Sequence, residues 1–146
     1  MKKILVFSLL IIVSLFMVSG CSSKKIKEGN NIKEVISSVK VTIDGKEYIV
    51  QLEDNETTKA FLNLLPLEFS MNELNGNEKY AYLDNTLPTN SSDHIKINSG
   101  DIMLYGNDCL VIFYKSFNTS YSYTKIGHID NLDDLGDENV TVKFDK

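Results

Sequence analysis

The stretch that most restricts what this chain can fold into runs from Gly100 to Ile129, GDIMLYGNDCLVIFYKSFNTSYSYTKIGHI. Within it, Cys109 to Tyr114 (CLVIFY) is an unbroken apolar run rich in β-branched and aromatic side chains. It is too short for a typical helix and suits a strand covered on both faces. Just upstream, Ile102 and Leu104 alternate with Met103 and Tyr105, which places the two pairs on opposite sides of another strand. Gly106-Asn107-Asp108 separates the two runs, and Gly and Asn accept positive φ at little cost. The spacing predicts a β-hairpin. Ser116 to Ser122 has no period and reads as a loop. Tyr123 to Ile129 resumes as a strand interrupted by Gly127. Burying each Leu, Ile, Val or Phe contributes about 1.5–3 kcal/mol, so this hairpin is expected at the middle of the core.

The rest of the chain after residue 39 follows the same grammar. Val39, Val41 and Ile43 alternate with Lys40 and Thr42, Asp44-Gly45 signals a tight turn, and Tyr48, Val50 and Leu52 return. Asn55 to Thr58 offers helix N-caps, with Glu56 at the positive end of the helix dipole. Ala60, Phe61, Leu64 and Leu65 then share one helical face until Pro66 ends the helix after about two turns. Leu67, Phe69 and Met71 alternate with polar residues, Asn75-Gly76-Asn77 turns, and Lys79 to Leu83 is a short strand with Tyr80 and Tyr82 on one side. Asp84 to Asp93 is a loop by composition, and His94 to Ile97 a short strand. Asp130 can cap a single helical turn through Leu132 to Leu135, ended by Gly136. Val140, Val142 and Phe144 form the last strand. Eight or nine short strands with one helix point to a barrel or sandwich.

The N-terminus carries an address. Lys2-Lys3 precede an apolar run of 15 residues, Ile4 to Val18. That is short for a membrane span of about 20 residues and matches the apolar part of an export signal. It closes on Val18-Ser19-Gly20-Cys21, which resembles the bacterial lipoprotein signal. Residues 1–20 are therefore expected to be cleaved, with Cys21 the site of lipid attachment. Two acyl chains would hold the protein stably to the membrane. Residues 21–38 then form the lipidated N-terminus and a polar tether reaching about 20–25 Å, and the domain occupies 39–146. The protein is expected outside the cytoplasm, with the membrane as a partner through its lipid.

Charge and residue usage narrow the chemistry. Without Lys2 and Lys3, 13 lysines face 20 acidic residues. This balance argues against nucleic acid, whose phosphates need cationic neutralisation. The chain has no arginine, so no mechanism that needs a planar bidentate guanidinium is open to it. Cys109, in a buried strand, reads as an inert small apolar group. Asp130, Asp133, Asp134, Asp137 and Glu138 lack the spacing of a calcium loop, because Leu132 stands at the third position from Asp130. His94 and His128 have no paired ligand at metal spacing. No metal and no cofactor is expected.

Three segments resemble the small bacterial cyclophilin-like family: LLPLEFSMNELNGNEKYAYL (Leu64 to Leu83), SGDIMLYGNDCLVIFYKSF (Ser99 to Phe117) and TSYSYTKIGHID (Thr119 to Asp130). With the helix ETTKAFLNLL, the likeness covers about residues 39–146. It implies a mainly β fold, a closed cyclophilin-like barrel of about eight strands with one short capping helix. Proline-isomerising cyclophilins rely on an arginine in an F-H-R motif followed by F-M-x-Q-G-G-D. This chain has neither motif, and only Gly100-Asp101 matches a fragment of the second. The resemblance thus implies no catalytic residue here, and fold alone does not carry function.

Candidate ligand-binding residues come from a polar, tyrosine-rich set. Asn72, Glu73, Asn75 and Glu78 sit beside Tyr80 in a bend between apolar strands. With Tyr105, Tyr114, Lys115, Ser116, Tyr121 and Tyr123 they are expected to line one mouth of the barrel. Apolar walls with a few convergent polar groups suit a small molecule or peptide, and tyrosine supplies contact area with one hydrogen-bonding tip. A non-catalytic binding module follows. The alternatives are a proline isomerase that works without arginine, with Lys115 or Tyr105 as donor, and an accessory envelope protein acting through protein contacts.

Overall fold

The computed structural model describes residues 37–93 and 96–146. The expected export leader, Cys21 and all but the end of the expected tether lie outside the described residues, as does His94.

Eight strands close into an antiparallel barrel in the order β1-β10-β3-β4-β7-β6-β9-β2. In chain order these are β1 (Ser38–Ile43), β2 (Lys46–Leu52), β3 (Leu67–Leu74), β4 (Glu78–Tyr82), β6 (Asp101–Tyr105), β7 (Cys109–Phe113), β9 (Tyr123–Ile129) and β10 (Val140–Asp145). Two further strands, β5 (Lys96–Ile97) and β8 (Phe117–Asn118), pair only with each other. The Ser116 to Ser122 loop thus contains a short strand, because Ile97 and Phe117 need each other to cover the outside of the barrel. The single helix among the described residues, α1 (Glu56–Leu64), is capped by Asn55, whose side chain accepts from Thr58 N at 2.8 Å. The Leu65–Pro66 peptide that follows is cis.

Alternation decides what faces inward. Val39, Val41, Met71, Ala81, Ile102, Leu104, Leu110, Ile112, Ile129, Val142 and Phe144 form one cluster inside the ring. An eight-stranded barrel has an interior just wide enough for its own side chains to fill. Phe61 of α1 closes one end, edge-on to Phe144 at 5.3 Å. The opposite end is covered by residues 130–139, whose Leu132 and Leu135 pack on the same cluster.

Those residues form no helical turn, contrary to the reading of Asp130 as its cap. Lys79 is the cause. Its position on β4 shares the inward face with Ala81, so the side chain is fully buried. Its Nζ donates to Gly136 O and Glu138 O, each at 2.6 Å, and lies 4.9 Å from the centre of the Tyr114 ring. One helical turn gains too few bonds to compete with carbonyls drawn to a buried ammonium.

Candidate functional site

The outward-pointing residues of β4, β7, β6 and β9 form a grid that follows directly from the strand register. One row reads Tyr82, Cys109, Tyr105, Tyr123, and the next reads Tyr80, Val111, Met103, Lys125. Neighbouring strands lie about 4.8 Å apart, so in each row small side chains on β7 sit between larger ones. Cys109 and Val111 become a floor. Tyr80 and Tyr82 rise on one side, edge to face at 6.0 Å. Tyr105 and Tyr123 rise on the other at 5.5 Å, and Tyr121 stands against Tyr105 at 6.0 Å. The result is a cavity of about 310 Å³, completed by Leu74, Asn75 and Glu78. That volume is at the small end of ligand sites.

Burial within this grid is uneven. Tyr123 is 7% exposed, whereas Tyr82, Tyr105 and Tyr121 are 67%, 45% and 62% exposed. The inner residues are thus fixed by packing, and the outer rings form a rim. Phe113 anchors the back of the wall, edge-on to Tyr123 at 5.4 Å and to Phe117 at 5.5 Å. Burial pushes the Tyr123 hydroxyl up to about 12 and the Cys109 thiol up to about 11, with nearby carboxylates adding to both. Neither group is a nucleophile at neutral pH. Glu78 is 8% exposed, and burial followed by the charge of Glu73 raises its pKa.

The structure divides the residues expected at a barrel mouth. Asn75, Glu78, Tyr80, Tyr105, Tyr121 and Tyr123 line the cavity, which lies on the outer face of the barrel. The barrel end beneath residues 130–139 is packed by Leu132 and Leu135. Asn72, Glu73, Tyr114 and Lys115 instead gather at the barrel end beneath residues 130–139. Tyr114 donates to Glu73 Oε1 at 3.2 Å, and Gly76 N donates to the same carboxylate. Lys115 Nζ lies 3.7 Å from Asp134 and over the Tyr114 ring. Asn139 Nδ2 donates to Asn72 Oδ1 at 3.2 Å. Burial and then Glu73 push the Tyr114 hydroxyl up to about 12. Ser116 accepts from Ser99 N at 2.9 Å and shapes the turn before β6.

Leu74, Tyr82, Cys109 and Val111 were not foreseen as lining residues. Their signal was present: Tyr82 shares the side of Tyr80, and a strand apolar on both faces must have something covering its outer side. His128 is tied up by carboxylates. Its Nδ1 lies 2.9 Å from the buried Asp101 and its Nε2 3.5 Å from Asp130, while Lys125 Nζ reaches Asp101 at 3.3 Å. Asp101 also accepts from Asn98 N at 2.8 Å. Among the described residues, no group of three or more His, Cys, Asp or Glu side chains converges as a metal site.

Compared with known proteins, residues 41–145 match the sequence model of the cyclophilin-like family. No curated protein and no solved structure matches the chain.

Proposed function

This chain belongs to the cyclophilin-like family, and from that premise we propose that it is a non-catalytic binding module, held outside the cytoplasmic membrane by a lipid on Cys21. It takes a small molecule or a short peptide segment in the cavity over Cys109 and Val111. One observation carries the reading: five tyrosines converge on a floor of small apolar side chains. Such walls give a ligand large contact area at low entropic cost, while their hydroxyls select orientation. Of the two alternative isomerase donors, Lys115 is engaged with Asp134 and Tyr114 away from the cavity, and Tyr105 stands on the cavity rim. Without a cationic donor in the cavity, isomerisation lacks the electrostatic contribution an arginine supplies.

Native mass spectrometry of the full chain in non-ionic micelles, screened against small molecules and short peptides, tests the module. Ligands lost on Val111→Phe, which fills the floor, support it. Retention of all ligands by that variant would remove the site. A protease-coupled proline isomerisation assay on the same preparation should match the buffer blank. Mass analysis of the N-terminal peptide should find acylated Cys21, and an unmodified cysteine would end the anchoring proposal.

A further inference from the structure

The charge inside the cavity names the ligand further. Glu78 is 8% exposed as a residue and lines the cavity, and its carboxylate, whose oxygens stay open to the cavity, makes no hydrogen bond or ion pair among the described residues. A carboxylate partly stripped of water and left without a donor gains from a cationic partner. No lysine lines the cavity. Around Glu78 stand the faces and edges of Tyr80, Tyr82, Tyr105, Tyr121 and Tyr123, and aromatic faces attract cations within about 6 Å of their centres. The adjoining lobe shares Glu78, Tyr121 and Tyr123 and includes Asn77, whose Oδ1 is buried with no partner among the described residues. An open carboxylate and an aromatic cage thus share the cavity, and a buried amide oxygen with no partner among the described residues belongs to the adjoining lobe.

The geometry points to an organic ammonium group as the moiety this cavity takes, with Glu78 as its counter-ion and the tyrosines as its cage. This rests on the binding reading above and adds the charge of the ligand to it. The ammonium comes either from a free alkylamine or from a lysine side chain of a peptide. An anionic ligand is disfavoured by the same carboxylate.

Five of the seven tyrosines line the cavity and the chain has no tryptophan, so intrinsic fluorescence reports occupancy directly. The full chain in non-ionic micelles is titrated with n-butylammonium against n-butanol, and with N-acetyl-lysine amide against N-acetyl-norleucine amide. Each cation should bind about tenfold tighter than its neutral isostere. The tighter of the two cations identifies free amine or peptide lysine as the source. Glu78→Gln should shrink the difference several-fold without weakening the neutral probes. Tyr121→Ala, at an exposed rim position, should weaken both cations while leaving thermal unfolding unchanged. Equal affinity of cations and isosteres, or cation affinity unaffected by Glu78→Gln, overturns the ammonium assignment and leaves the module standing. No response to any probe, charged or neutral, overturns both.

Discussion

A single added methyl at Gly100 should be far more damaging than the same methyl at Gly45. Both glycines sit at positive φ, +95° and +83° respectively, so both alanine variants carry the backbone cost of a side chain in that region, on the order of 1–2 kcal/mol. At Gly45 a Cβ meets nothing within 4 Å, so that cost is the whole effect. At Gly100 the Cβ would sit deep inside contact distance of Ile129 O, with the His128 ring carbon Cε1 at 3.1 Å. The backbone must retreat, and two hydrogen bonds resist it: Gly100 N to Phe113 O at 2.7 Å and Ile129 N to Gly100 O at 2.8 Å. Losing a buried backbone bond and leaving its partner unmet costs about 1–3 kcal/mol. Gly100→Ala should therefore cost about 3–6 kcal/mol in all, and about 2–4 kcal/mol more than Gly45→Ala. Urea unfolding of the full chain in micelles, followed by tyrosine fluorescence, measures both, compared at equal m-values. A Gly100 variant within about 1 kcal/mol of the Gly45 variant would refute the packing argument.

Lys79→Ala should destabilise by about 3–5 kcal/mol, since it strands two carbonyls and empties the space of the stem. Lys79→Met keeps most of that packing and sheds the buried charge, so it should cost clearly less. Equal losses in a denaturant series would mean the ammonium dominates. Glu78 has a folded-state pKa above the ordinary 4.5, so ionising it opposes folding. That penalty is complete above the folded pKa and disappears as pH falls below the unfolded one. Glu78→Gln should thus raise the melting temperature near about pH 8 and have no effect near about pH 4. A pH-independent difference would contradict the assignment. With its thiol at about 11, folded Cys109 should react with iodoacetamide at least about 100-fold more slowly than a free thiol at neutral pH. Peptide mapping reads this, and labelling at the free rate would show that the floor of the cavity is open and polar.

Much of the barrel was legible because local rules agreed with one another. Val39, Val41 and Ile43 alternate as a half-buried strand should, and all three are buried inward. Asp44-Gly45 turns with positive φ at both residues. Asn55 caps the helix that Phe61 buries. The closure was not legible in the same way. β1 meets β10 and β2 meets β9, and no local period encodes which distant strands will pair; only the family likeness pointed to a closed ring. Lys79 escaped notice because lysine at an apolar register position looks like an interruption of the pattern, not a plug. The helical turn expected after Asp130 failed for the same reason, since the residue that unwinds it lies far away in sequence.

The location of the cavity follows from one property of β7 that was visible from the start. Cys109 to Phe113 is buried at every position, so β7 needs a core on its inner side and a cover on its outer side. Inside, Leu110 and Ile112 meet the filled barrel. Outside, the cover is graded. At the Phe113 end, Ile97 and Phe117 of the β5–β8 pair pack close with Met103 and Tyr123. Toward Cys109 the two short strands are spent, and the cover passes to tyrosine rings mounted on the flanking strands. Rings on β4 and on β6 and β9 cannot reach across the small side chains of β7 to touch, so they leave a trough between them. The gap is thus built from the register and from side-chain size, and the Glu78 carboxylate, unpaired among the described residues, lines it.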